Sequence, residues 1–276
     1  MSKNTKVRFI LVWIILLVLS LVGALLSPKR PHAHTLSEAM RDAVLHEANK
    51  ISLFGVLEVN PAVVSGFVVT AILLVLALIT RVFIIPKFKR VPGKAQLLIE
   101  QLVGFFDSLA KQNSPHRNGF LGAYIFSVGV YVFFSTVFEL FGLQASTTHG
   151  EIISLPAPIS DINAAITFGV MSYLVILFGG LISNGLGGVG HALKDFSLPI
   201  SMSFRLFGAL LSGLLVTELV YYSLSLSIAL PVVVAVLFTL LHALIQTYVL
   251  TMLTALFYGE VTHPHEKKVK IKKVKS

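Results

Sequence analysis

Long apolar runs separated by short polar stretches dominate the chain. Six reach span length: residues 8–27, 61–85, 119–143, 162–183, 199–224 and 229–258. A helix rises about 1.5 Å per residue, so ~20 apolar residues cross the ~30 Å hydrocarbon layer of a bilayer. The pattern predicts an all-α, polytopic helical membrane protein. Two further stretches have helical periodicity without being apolar enough to cross. Residues 36–50 are expected to start on a capping box from Thr35 to Glu38. Residues 94–112 gather Leu97, Leu98, Leu102, Phe105, Phe106 and Leu109 on one face, with Lys94, Glu100, Asp107 and Lys111 elsewhere. That is the pattern of a helix lying along the membrane surface. Neither an internal repeat nor a broken helix is legible, which counts against an inverted-repeat transporter.

Composition narrows the class. The 276 residues are 55% hydrophobic and 13% charged, with a mean hydropathy of +0.84, which excludes an ordinary soluble domain. No cysteine is present, so a disulfide framework, an iron–sulfur cluster or a thiolate site is ruled out. The net charge of +9 is concentrated rather than spread. Arg81, Lys87, Lys89, Arg90, Lys94, Lys111 and Arg117 fill one inter-span stretch, and six lysines fill the tail KKVKIKKVKS. Residues 144–161 carry no Lys or Arg. The bias predicts an inside-facing loop and tail rather than a nucleic-acid surface. The loop 28–60 weakens the rule, since Lys29, Arg30, Arg41 and Lys50 are balanced there by four acidic residues.

The expected organisation is therefore an N-terminal anchor or signal segment with an external loop (1–60), a core of five spans plus the surface helix 94–112 (61–260), and a basic cytoplasmic tail (261–276). The first apolar run is long for a signal peptide and no clear small-x-small cleavage site follows it. Read as an uncleaved anchor, it places both termini on the cytoplasmic side of the plasma membrane.

One charge breaks the apolar pattern. Arg205 has no Asp, Glu, Lys or His within nine residues on either side. Its guanidinium cannot discharge, and even insertion scales charge ~2.5–3.5 kcal/mol for an Arg at mid-membrane. Ser201, Gly208, Ala209 and Ser212 fall near its face at helical spacing, a stripe of small residues that lets another surface come close. The glycines alone would read as ordinary bundle packing. With an unpaired Arg among them, a partner surface carrying a carboxylate is the better reading.

The last span has its own polar stripe of Thr239, His242 and Gln246. A turn near residue 227 would bring Gln246 close to the depth of Arg205, where an Arg–Gln hydrogen bond would hold the guanidinium without neutralising it. Arg205 lies ~30 Å along a straight helix from residue 224. Mid-membrane depth therefore requires a strong tilt, so the fold is expected to end in a long tilted helical hairpin.

At FRLFGALLSG and IQTYVLTMLTALFYGE the chain resembles subunit a of the F-type ATP synthase, the stator of its membrane motor. VPGKAQLLIEQLVGFF, PISDIN and LPIS agree in order, and the resemblance covers roughly residues 56–260. It implies a hairpin packed against a ring of c subunits, with b subunits of the peripheral stalk, the rest of the complex and membrane lipid as further partners. It assigns Arg205 to face each ring carboxylate in turn, with Gln246 beside it, while two offset half-channels feed ions to the ring. H+ is the favoured ion and Na+ the alternative. The subunit would not be an enzyme by itself, and no cofactor, metal or nucleotide loop is expected.

This chain departs from the family at four positions. Ala209 stands where Asn is usual, Leu214 and Thr239 where Glu or His are frequent, and His191 where bacterial relatives can carry Glu. Glu218 and His242 lie near the two vacated places on the hairpin. They are either relocated channel lining or, respectively, an interfacial charge and a packed histidine. Asp161 and Asn163 open the fourth span, as helix cap or as the entrance to the outer channel. Glu139 is weighed equally as an interfacial charge. Lys194 and Asp195 are expected to begin the Arg205 helix, and His263 and His265 to be solvated tail residues. The principal rival function is a stand-alone secondary transporter in which Arg205 binds an anionic substrate. A membrane scaffold or insertase is the second.

Overall fold

In a computed structural model, the structure describes residues 50–53, 57–146, 152–222 and 230–264, together with Ile15, Val18 and Val22. Most of the 8–27 anchor, the 36–50 helix with its capping box, the turn near 227 and the lysine-rich tail with His265 lie outside the described residues. Among the described residues from 50 onward, seven helices carry the fold: α1 (Pro61–Ile79), α2 (Lys94–Asn113), α3 (Gly119–Val137), α4 (Ile162–Asn184), α5 (Leu186–Lys194), α6 (Ser197–Tyr222) and α7 (Leu230–Thr262). Two antiparallel pairs of three-residue strands add to the expected all-α architecture: β1 (Ile51–Leu53) with β2 (Leu57–Val59), and β3 (Gln144–Ser146) with β4 (Ile152–Ser154).

Among the described residues, four helices are long and apolar enough to cross a membrane, or five if the bent pair α5–α6 is one span. Their ends follow local chemistry. Past Ile79, α1 runs into a π-turn over Thr80–Ile84 and a 3-10 turn over Ile85–Lys87. Pro86 has no N–H to give the carbonyl four residues back, which accounts for the loosened ladder before it. Gly142 (φ 57°) ends the 3-10 turn after α3, and Gly185 (φ 59°) ends α4. Only glycine enters this region of φ cheaply.

A helix is present over the expected stretch as α2, and its apolar face is divided. Phe106, Leu109 and Ala110 are buried, whereas Leu97, Leu98, Leu102 and Phe105 are exposed, as suits a helix resting on lipid. The loop before it is pinned by Gln96, whose side chain accepts from the Lys89 N–H (3.0 Å) and donates to the Lys89 carbonyl (2.9 Å).

Two expectations are corrected between residues 184 and 197. Lys194 and Asp195 do not begin the Arg205 helix: Lys194 ends α5, and Asp195 accepts from the Leu198 N–H (2.9 Å) at the break. A broken helix therefore does exist, since α5 and α6 meet at 49°. The glycine-rich LGGVGHALK has poor intrinsic helix propensity. It is helical because Gly188 packs backbone to backbone on Gly180 of α4, where an added Cβ would lie 2.6 Å from the Gly180 carbonyl carbon.

The chain falls into two compact units. One is drawn from Met1–Leu74, Tyr131–Ala165 and Arg205–Gln246, the other from Val75–Val130, Ile166–Phe204 and Thr247–Ser276. In the first, Ile51, Val69, Phe138 and Leu155 form a core flanked by Val64, Val68 and Tyr131. In the second, Phe106, Leu121, Ile125, Ile176, Ala255 and Tyr258 form the larger core. Polar ties fix it: Asn184 donates to the carbonyls of Val261 (2.9 Å) and His263 (2.8 Å), and the Tyr173 hydroxyl donates to the Ala192 carbonyl (3.1 Å).

Candidate functional site

Helix α6 buries one stripe and exposes another. Leu198, Met202, Leu206 and Leu210, four residues apart, are all buried, Leu206 at 2% exposure. On other sides Ser201, Phe204, Arg205, Gly208 and Ser212 are exposed, and Ala209 is half-buried. Of the small residues predicted to share a face with Arg205, Ser201, Gly208 and Ser212 are therefore exposed and Ala209 is partly covered. A Cβ built on Gly208 would meet nothing within 4 Å.

The Arg205 guanidinium has no carboxylate partner among the described residues. Gln246 does meet Arg205, but not as expected. Its Nε2 donates to the Arg205 backbone carbonyl at 3.1 Å rather than engaging the guanidinium. Gln246 is buried, 5% exposed, so its amide needs a partner inside the protein. A helical carbonyl has a second lone pair beyond its i+4 bond, and Gln246 uses it. The effect is to fix the backbone under Arg205 while leaving the charged head unengaged.

His242 lies one turn before Gln246 on α7. Its Nδ1 is 2.8 Å from the Phe238 carbonyl, and its ring stacks on Phe238 at 5.6 Å between centroids. A carbonyl only accepts, so Nδ1 carries the proton and Nε2 is the atom left for other partners. Half-buried Thr239 shares the stripe. Glu218 is in α6, and its side chain lies outside the described residues.

Asp161 acts as a helix cap: its Oδ1 accepts from the Asn163 N–H (2.6 Å) and its Oδ2 from the Asn60 side chain (2.7 Å). This satisfies an orphan donor at the start of α4 and ties that start to the start of α1. Asn163 itself is exposed. In the second unit, half-buried His191 occupies the last turn of α5, and exposed Ser201 the second turn of α6.

One polar position escaped the sequence reading. Ser135 is fully buried and its hydroxyl has no hydrogen-bond partner among the described residues. It sits four residues before Glu139, so both lie along the same side of the third span. The spacing in STVFE was visible, but a serine in an apolar helix commonly bonds its own i−4 carbonyl. Nothing in the sequence showed that this one does not.

Arg205 thus presents its guanidinium, with no carboxylate partner among the described residues, beside the exposed Ser201, Gly208 and Ser212. The chain belongs to the ATP synthase A chain family, whose sequence profile matches residues 63–259. Two curated relatives, each named ATP synthase subunit a, come from Histophilus somni strains 2336 and 129Pt. Each is 30% identical over 159 residues, covering 47% of this chain. The chain spans 59% of the length of these relatives.

Proposed function

We propose that this chain is the ion-translocating stator subunit of an F-type ATP synthase in the plasma membrane, packed against a ring of c subunits and held by the b subunits of the peripheral stalk. The observation that carries the reading is Arg205: an exposed, permanent cation on a small-residue face, with no carboxylate partner among the described residues and its backbone fixed by a buried glutamine.

Electrostatics supply the mechanism. A ring carboxylate arriving protonated, or bearing Na+, meets Arg205 and finds its charged form favoured. It releases its ion into one aqueous half-channel. Ionised, it cannot move into lipid cheaply, so it must reload from the other half-channel before leaving. Arg205 also repels cations that would pass directly between the channels. Each charge moved through 100 mV releases about 2.3 kcal/mol, so several steps must accumulate before one ATP is made. Gln246 acts as a positioning residue. Glu218, His242, His191, Asp161, Asn163 and Ser201 are candidates for the ion path, with H+ the favoured ion. Ser135 with Glu139 adds a further polar segment.

The test is Arg205→Ala in the assembled complex. Ion-driven ATP synthesis should be abolished while hydrolysis by the detached soluble head continues. Normal coupled synthesis would sink the proposal. Arg205→Lys should also largely fail, because a compact, deprotonatable ammonium replaces a planar, permanent charge. Cysteines at Ser201, Ala209 or Ser212 should crosslink to cysteines on the outer helix of c, whereas one at buried Leu206 should not.

The 49° break between α5 and α6 is the one feature that favours a stand-alone transporter of an anionic substrate. That reading requires the isolated chain to accumulate an organic anion in vesicles, and loss of this uptake in Arg205→Ala.

A further inference from the structure

The second unit contains a groove that the ion-coupling reading does not use. It lies among the start of α3, the second half of α4 and the last turns of α7, with a volume of about 430 Å3. That falls in the ~300–1,000 Å3 range of ligand clefts. Its walls include Phe120, Phe178, Gly179, Ile182 and Tyr258, and Arg117 contributes the cation. Gly179 makes the slot possible: a Cβ there would run into the Tyr258 ring, reaching 2.7 Å from Cδ2.

Three observations specify an occupant. First, Arg117 is presented by an ordered loop. The Ser114 hydroxyl lies within hydrogen-bond distance of both the Arg117 carbonyl (3.1 Å) and the Thr262 hydroxyl (3.2 Å), and the Asn118 side chain donates to the Pro115 carbonyl (3.3 Å). Lys111 in the preceding helix is paired with Asp107, whereas Arg117 has no carboxylate partner among the described residues. Second, Tyr258 lines the groove, 5% exposed, and its phenol is a hydrogen-bond donor in an otherwise apolar wall. Third, the rest of the rim is apolar and uncovered, with Phe120 66%, Phe178 58% and Ile182 65% exposed. His116 and His263, edge to face at 5.7 Å, stand beside Arg117 in the chain and just past the end of α7.

We infer that this groove binds one anionic phospholipid, its phosphodiester on Arg117 and the Tyr258 hydroxyl and an acyl chain along Phe120, Phe178 and Ile182. A guanidinium and a phenol both donate to a phosphate, and the guanidinium supplies a charge-assisted bond. The apolar rim accounts for why the ligand carries a hydrocarbon chain rather than being free phosphate. Basic pockets between membrane helices bind such headgroups generally.

The full chain in detergent, titrated with dioleoyl phosphatidylglycerol or dioleoyl phosphatidylcholine and followed by native mass spectrometry, tests this. Phosphatidylglycerol should bind about tenfold tighter, a difference of about 1.4 kcal/mol. Arg117→Gln should erase most of that preference and Tyr258→Phe part of it, whereas Lys89→Gln on the separate basic loop should leave it intact. Equal affinity for the two lipids, equal weakening by Lys89→Gln, or displacement by millimolar inorganic phosphate would each overturn the inference. In the intact complex, a photoreactive label on Ile182→Cys should crosslink to lipid. Crosslinking to another subunit instead would reassign the groove to a protein partner.

Discussion

Glycines on two helices of this molecule meet opposite surroundings. On α4, Gly169, Gly179 and Gly180 are closed by the chain itself, where added Cβ atoms would press on Pro199, Tyr258 and Gly188. On α6, Gly208 faces open space beside Arg205. The same small side chain thus serves two ends. In α4 it lets elements of one chain approach to backbone contact, and its role is complete in the monomer. In α6 no described residue comes within 4 Å of a Cβ placed on Gly208, so that face is left open. Spacing in the sequence cannot tell these cases apart, because both read as small residues on an apolar helix. Exposure does, and the exposed case is the one that carries the charge.

The sharpest way to break this contrast is to add a side chain on each side of it. Gly188→Ala and Gly259→Ala should each destabilise the chain by about 1–3 kcal/mol, because the new Cβ meets rigid backbone, that of Gly180 and of Asn113 respectively. Folded yield and melting of the purified chain would check this, and wild-type values in both would mean that the packed glycines are spacers only. Gly208→Leu should leave the chain's stability within about 0.5 kcal/mol. It should nevertheless lower coupled ATP synthesis about tenfold, by wedging the partner surface away from Arg205. Synthesis at the wild-type rate would mean that no close partner faces Gly208.

Most of the spans were legible in the sequence because each is a single apolar run bounded by polar residues, and the α2 surface helix because its charges and apolar residues separate at a helical period. What stayed illegible depends on contacts between distant residues. LGGVGHALK reads as a weak helix and is rescued by Gly180. The partner of Gln246 was misjudged because a charged head seemed the natural acceptor-seeker, whereas the spare lone pair of a helical carbonyl leaves no mark in a sequence. A cap was one of the two readings that the place of Asp161 before the helix offered, but its bond to Asn60, 101 residues away, left no mark in the sequence.

Gln246 tests the fixed side of the Arg205 site. Gln246→Ala removes one buried hydrogen bond, while the Arg205 carbonyl keeps its lone pair for the helix, so about 1 kcal/mol is expected from the bond itself. Coupling should fall severalfold with Arg205 still present. Gln246→Glu offers no donor to that carbonyl when ionised and places a negative charge near the guanidinium. It should impair synthesis more than Gln246→Ala, although the side chain is nearly the same size. The reverse order would argue that Gln246 serves only to fill space.

The smallest effects are expected where a polar residue on the hairpin is either lining or packing. His242 donates from Nδ1 to its own helix and stacks on Phe238, which supplies a complete packing role. Its Nε2 takes no part in that bond, so the two roles are separable. His242→Ala and Glu218→Gln should each slow passive ion flow through the headless membrane sector about twofold and shift its pH dependence. Together they should cost less than the sum, since both would act in one pathway. His242→Asn separates lining from packing, because its amide can keep the bond to Phe238 but cannot titrate near neutral pH. If His242→Asn restores both the flow and the wild-type pH profile, His242 is a packed residue, and ion access falls to the region of Asp161, Ser135 and Glu139.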